Sequence, residues 1–187
     1  MNIANKLTFT RVFLIPFYII FFIPTPSWLG EGLFTFHSKY GVLIALVIFV
    51  IASFTDFLDG YLARKLSLVT NLGKFIDPVA DKILVTTALV MLVQRGMIGG
   101  WTVIIIIARD LIVDGLRLAA AQKGEVIAAN VYGKIKTNFQ LIAVIAYMLS
   151  FYLPIWYLPQ ILYAIAIIAT VVSGYIYVKK SLEFIKD

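Results

Sequence analysis

Six apolar stretches dominate this 187-residue chain, at residues 8–24, 41–63, 76–94, 99–121, 136–153 and 159–178. A helix needs about 20 mainly apolar residues to cross the hydrocarbon core of a bilayer, and each stretch comes near that length. Lipid offers no partner for backbone N–H and C=O groups, so such segments must satisfy them internally, as helices. Helix-ending residues separate several of them: Pro24, Thr25 and Pro26 after the first, Arg95–Gly96 with Gly99–Gly100 between the third and fourth, and Pro154 and Pro159 around a short turn before the last. The expectation is an all-α integral membrane protein: six transmembrane helices forming a single domain over residues 1–187.

Composition agrees. The chain is 61% hydrophobic and 14% charged, where a soluble domain is about half apolar and about a quarter charged. It contains no cysteine, which excludes a disulfide framework, a thiolate nucleophile and a cysteine metal site. His37 is the only histidine and stands in FTFHSKY, which reads as a surface loop. Serine–histidine and zinc–histidine chemistries are therefore poor candidates. The opening MNIANKLTFTR lacks the basic stretch and small-residue cleavage site of a removable signal peptide, so the first apolar stretch is expected to be retained.

The net charge of +6 comes without a basic run interleaved with aromatics, so no nucleic-acid partner is expected. The cations lie between apolar stretches instead. With six crossings, both termini share one side with the 64–75 and 122–135 connections. Of sixteen Lys and Arg residues, only Lys39 and Arg95 fall on the other side. That asymmetry places both termini in the cytoplasm and the chain in the cell membrane. Trp156–Tyr157, and Tyr175 with Tyr177, read as an interfacial aromatic belt.

Within this apolar background, residues 56–81 read DFLDGYLARKLSLVTNLGKFIDPVAD and hold four of the ten acidic residues. Ionisable groups are costly in a membrane and mark function by default. Asp56 and Asp59 are three apart and Asp77 and Asp81 four apart, so each pair shares one helix face. A short loop joins the two helices as antiparallel neighbours, which lets the four carboxylates converge. Ionised carboxylates at such proximity need cations, and an all-oxygen ligand set suits Mg²⁺ or Mn²⁺. Gly60 leaves the helix surface open to a bulky ligand, Arg64 suits a phosphate, and Gly73 lies where N–H groups of a helix start are free. Together these features point to phosphoryl transfer assisted by two metal ions. The competing reading, that the aspartates merely pair with Arg64, Lys65, Lys74 and Lys82, does not explain the convergent spacing or the Gly60–Arg64 continuation.

The pattern Asp-x2-Asp-Gly-x2-Ala-Arg-x8-Gly-x3-Asp-x3-Asp, met by Asp56, Asp59, Gly60, Ala63, Arg64, Gly73, Asp77 and Asp81, resembles the signature of the CDP-alcohol phosphatidyltransferases. The resemblance implies two divalent ions held by Asp56, Asp59, Asp77 and Asp81. It implies a CDP-linked lipid donor contacting Asn5, Thr8, Gly60, Ala63, Arg64 and Gly73. It also implies Asp81 as general base on an acceptor hydroxyl, and a homodimer.

The fourth stretch, WTVIIIIARDLIVDGLRLAAAQ, places Arg109, Asp110, Asp114 and Arg117 within an apolar helix, and the fifth opens GKIKTNFQ. Asp110, Asp114 and Arg117 form one stripe, with Arg109 about 100° from Asp110. Neutralisation of Arg117 or a lysine by Asp110 or Asp114 is the competing reading, and it still leaves surplus cations. Arg109, Arg117, Lys134 and Lys136 are expected to form a basic pocket for the phosphate of the acceptor. ARDLIVDGLR, GKIKT and the opening NKLTFTR (Asn5, Thr8, Arg11) look like the corresponding stretches of the phosphatidylglycerophosphate synthases, a branch of the same family. That implies transfer of phosphatidyl from CDP-diacylglycerol to sn-glycerol 3-phosphate, with release of CMP. Many members of the branch carry Glu in place of Asp110 and a small polar residue in place of Asp114, so both aspartates stay outside the expected binding set.

Other acceptors, namely an inositol phosphate, phosphatidylglycerol or serine, are alternatives within the family. An uncharged acceptor would not need the basic group. Intramembrane prenyltransferases share Asp-rich Mg²⁺ sites but need more helices and lack the Gly60–Arg64 continuation. A divalent-cation transporter would want acidic residues on an exit route, whereas Glu31 is the only one expected on the outer side.

Overall fold

The computed structural model describes the backbone of residues 3–25, 30–65, 71–122 and 131–185, and the side chains of 7–25, 30–55, 76–122, 133, 135–179 and 181. These residues form six α-helices: α1 (Ile3–Phe22), α2 (Glu31–Lys65), α3 (Asn71–Gln94), α4 (Gly100–Gln122), α5 (Val131–Leu149) and α6 (Leu158–Ile185). Each expected apolar stretch coincides with one helix. The helix ends follow local chemistry. After α3, Gly96 adopts φ 71°, the Gly96 N–H reaches the Val93 carbonyl and the Met97 N–H reaches the Leu92 carbonyl. That pair of bonds around a left-handed glycine is a Schellman cap. Pro159 sits in the first turn of α6, where its missing N–H costs nothing.

The chain divides into two compact units, Met1–Ile98 with Tyr147–Pro154, and Gly99–Ala146 with Ile155–Asp187. In the first unit α1 packs along α2 and against α3. Thr8, Arg11, Ile15, Tyr18 and Phe22 are buried at alternating steps of three and four, one stripe of α1. α2 answers with Gly41, Val42, Ala45, Phe49 and Ala52, and a side chain on Gly41 would come 2.8 Å from the Phe21 carbonyl oxygen. Small residues of this kind let helix backbones approach closely in lipid. Arg95 locks the end of α1: its Nε donates to the Phe22 carbonyl at 2.6 Å, and its guanidinium lies over the Phe22 and Phe151 rings. Burial lowers the Arg95 pKa, and Tyr18 and Tyr152 oppose that shift. In the second unit α4 packs on α6, and α5 reaches α6 through the Gln140 amide to Thr170.

The outward faces are apolar. Phe13, Trp101, Leu118 and Trp156 stand largely exposed, whereas Arg11, Gln140 and Thr170 are buried. Exposed apolar area on this scale marks contact with lipid or a partner rather than water. Among the described residues, Glu31–Thr55 and Leu158–Lys179 are long and apolar enough to cross a membrane. α3 carries its charged residues in its first half and α4 mid-helix, which shortens the apolar run of each.

Two expectations are corrected. His37 is not in a loop. It belongs to α2, which begins at Glu31, ten residues before the expected 41; the Nδ1 atom of His37 hydrogen-bonds with Thr25 Oγ1 at 2.8 Å, and its Nε2 donates to the Ile20 carbonyl at 2.9 Å. Tyr177 does not belong to the aromatic belt. It is 3% exposed, while Tyr175 is 69% exposed. Two residues along a helix turn through about 200°, so neighbours at this spacing face opposite ways.

Candidate functional site

The first polar cluster lies in the first unit. Asp77 and Asp81 stand one turn apart near the start of α3, and α1 supplies a donor to each. Thr8 Oγ1 donates to Asp77 Oδ1 at 2.6 Å, and Arg11 Nη1 donates to Asp81 Oδ1 at 2.7 Å. The spacing of Thr8 and Arg11 matches that of the two aspartates closely enough for the pairs to form side by side. Arg11 is fully buried, while the Asp81 side chain is 44% exposed. A buried guanidinium needs an acid partner, and this pairing fixes one oxygen of Asp81 while leaving the carboxylate accessible.

Asp56, Asp59, Gly60, Ala63 and Arg64 lie on the last turns of α2, and Gly73 at the start of α3; their surroundings, like those of Asn5 and Lys134, lie outside the described residues. Among the described residues no group of three metal-ligating side chains forms. By donor type Asp77 and Asp81 fit a hard divalent cation. Both are carboxylates, and Asp77 accepts the Thr8 hydroxyl on Oδ1. Thr8, implied as a contact of the CDP-lipid, is 1% exposed, and its hydroxyl donates to Asp77.

The second cluster lies in the second unit and is basic. Asp110 Oδ1 accepts from Arg109 Nη1 at 2.9 Å and from Lys136 Nζ of α5. Arg109 Nη2 also donates to Ser173 Oγ on α6 at 2.7 Å, and Arg117 Nη2 donates to the Tyr177 hydroxyl at 2.5 Å. Both guanidinium groups face the Tyr177 ring, at 5.7 Å for Arg109 and 4.9 Å for Arg117. A side chain on Gly174 would come 2.8 Å from Arg109 Cγ, so the glycine gives that arginine its room. The Nε atoms of Arg109 and Arg117 are buried with no hydrogen-bond acceptor among the described residues. Buried donors of a cation without an acceptor are expensive, and an anionic ligand would satisfy them.

Three of the four expected phosphate-binding residues are thus described. Arg109 and Lys136 meet on Asp110, and Arg117 joins Arg109 at Tyr177. Along the expected stripe, Asp110 meets Arg109 and Lys136 of α5, and Arg117 meets Tyr177 of α6. Neutralisation of a lysine by Asp110, the competing reading, is what the structure shows for that residue. Ser173 and Tyr177 were not singled out as site residues by the sequence. Their signal is a run of small or polar positions, Thr170, Ser173, Gly174, Tyr177 and Ser181, recurring at helical spacing along an apolar helix.

A family model described as CDP-alcohol phosphatidyltransferase matches residues 1–172. The chain is 45% identical, over 99% of its length and 97% of the relative's, to the CDP-diacylglycerol–glycerol-3-phosphate 3-phosphatidyltransferase of Bacillus subtilis (strain 168). It is 35% identical to the protein of the same name from Mycoplasma pneumoniae, over 99% of this chain and 89% of that one. It is also 35% identical to a probable phosphatidylglycerophosphate synthase of Mycobacterium tuberculosis, over 97% of this chain and 82% of that one.

Proposed function

The chain belongs to the CDP-alcohol phosphatidyltransferase family, and we propose that it transfers the phosphatidyl group of CDP-diacylglycerol to sn-glycerol 3-phosphate, giving phosphatidylglycerophosphate and CMP. The observation that carries this reading is the full-length similarity to the Bacillus subtilis enzyme of that name. The two clusters supply matching chemistry, acidic for a metal-bound diphosphate and basic for an acceptor that carries its own phosphate. Within the same proposal, all six helices cross the cell membrane with both termini and the site facing the cytoplasm, and the protein is a homodimer.

Asp56, Asp59, Asp77 and Asp81 would hold two divalent ions, Mg²⁺ or Mn²⁺, which when bound neutralise charge on the donor diphosphate and on the attacked phosphorus. Thr8 and Arg11 hold Asp77 and Asp81 at fixed rotamers, so the carboxylates are oriented before any ligand arrives. Gly60, Ala63, Arg64 and Gly73, with Asn5 and Thr8, receive the CDP-lipid. Arg109, Arg117, Lys134 and Lys136 receive the acceptor phosphate and orient the free hydroxyl. Asp81 takes the proton of that hydroxyl as its oxygen attacks the lipid-side phosphorus. The new P–O bond forms as the bond to the CMP oxygen breaks, and CMP leaves with the electron pair.

The test is an assay of the purified protein with CDP-diacylglycerol and a panel of acceptors, with and without EDTA. CMP release that requires glycerol 3-phosphate and a divalent ion is the expected result. Release with serine, an inositol phosphate or phosphatidylglycerol instead would change the acceptor. Divalent-metal binding without CMP release from any acceptor would overturn the enzyme reading.

A further inference from the structure

Among the described residues, Tyr177 is the aromatic side chain that both arginines of the second cluster face. Its hydroxyl accepts from Arg117 Nη2 at 2.5 Å, and its ring carries the guanidinium of Arg117 at 4.9 Å and that of Arg109 at 5.7 Å. Eight residues separate the two arginines on α4, a rise of about 12 Å, so without a shared support their long side chains have no reason to point to one place. α6 supplies that support from one face: Ser173 holds the Nη2 of Arg109, Gly174 makes room for its Cγ, and Tyr177 lies under both cations. What the support leaves over is specific. The Nε–H of each arginine is buried with no acceptor among the described residues. Asp110 already takes Nη1 of Arg109 together with Lys136, so the Nε donors are not consumed by the internal ion pair.

We infer that Tyr177 is a positioning residue for the acceptor phosphate: it holds Arg109 and Arg117 so that their remaining N–H groups present a joint anion site. This rests on the reading that those arginines receive the phosphate of the acceptor. A ring with a hydroxyl serves this better than either part alone. The face attracts cations without neutralising them, and the hydroxyl fixes the rotation of one guanidinium plane. A carboxylate in its place would pair with the arginines and compete with the ligand.

The test is two-substrate kinetics of the purified full-length protein carrying Tyr177→Phe, Tyr177→Leu or Arg117→Ala, together with the double variant Tyr177→Phe/Arg117→Ala. Loss of a hydrogen bond to a charged group is worth about tenfold in binding, so Tyr177→Phe should raise KM for glycerol 3-phosphate by about 3–10-fold, and Tyr177→Leu by more. KM for CDP-diacylglycerol should move less than about twofold in both, because uniform binding of one substrate is what is lost. In the Arg117→Ala background, Tyr177→Phe should add little further, since residues acting through one another are not additive. A merely structural Tyr177 would lower the melting temperature and damage both substrates alike, and its effect would add in full to that of Arg117→Ala. Either outcome overturns the inference. If Tyr177→Leu does not fold, Tyr177→Phe and the double variant still decide. If Arg117→Ala and Arg109→Ala leave KM for glycerol 3-phosphate unchanged, the acceptor-site reading itself fails. If they raise it while Tyr177→Phe does not, only the role of Tyr177 fails.

Discussion

The two polar clusters of this molecule are built in opposite senses. In the first unit the charged groups on display are carboxylates, and α1 reaches Asp77 through Thr8 and Asp81 through Arg11. In the second unit the groups on display are cations, held by Asp110, Ser173 and an aromatic ring. Each cluster contains its own counter-charge. In the sequence the motif adds Asp56 and Asp59 to Asp77 and Asp81, and Lys134 stands two positions before Lys136. Charge of one sign gathered within an apolar helix suits a ligand of the other sign. The contrast supports the proposal that metal and donor belong with the acidic cluster and the anionic acceptor with the basic one.

The largest expected effect lies in the acidic cluster. Asp56→Asn, Asp59→Asn and Asp77→Asn should each abolish most activity while circular dichroism shows the helices intact, since each removes a charged ligand. Near wild-type turnover of any one at saturating Mg²⁺ would break the shared metal site. Next comes Asp81→Asn, which should lower kcat by about 10²–10⁴-fold, the usual worth of general-base assistance, with CDP-diacylglycerol binding retained. Binding that collapses in step with turnover would make Asp81 chiefly a metal ligand.

A smaller effect tests the α1 partners. Arg11→Met removes the guanidinium that orients Asp81 and should reduce kcat by about tenfold, with Arg11→Lys recovering part of it. Because Asp81 is half-exposed, the stability cost should stay below the about 3–5 kcal/mol typical when a fully buried pair loses one member. Unchanged turnover would leave the Arg11–Asp81 bond without a catalytic consequence. The smallest effect on activity belongs to Arg95→Ala, far from either cluster in sequence. Its bonds to the end of α1 predict a loss of about 1–3 kcal/mol in stability, read as a lower melting temperature, with both KM values unchanged.

Much of this was legible in the sequence where spacing carries the information. The six helices follow from apolar length and from Pro and Gly breaks, and the pairing of Asp77 with Asp81 follows from helical periodicity. The start of α2 was not legible, because GEGLFTFHSK has the turn-rich composition of a loop; the His37 contacts to Thr25 and Ile20 join it to residues 12 and 17 positions earlier. Arg11 and Asp81 are 70 positions apart, beyond any local pattern. Tyr177 was misplaced because an aromatic near a helix end suits the interface equally well. Only the side of α6 it occupies, shared with Ser173 and Gly174, separates it from Tyr175.

The division of labour between the clusters is tested most directly by measuring KM for both substrates in Arg109→Ala and Lys136→Ala. The expected result is a rise of about tenfold or more for glycerol 3-phosphate with CDP-diacylglycerol changed by less than about twofold. An equal rise for both substrates, or no change in either, would contradict the assignment of the basic cluster to the acceptor.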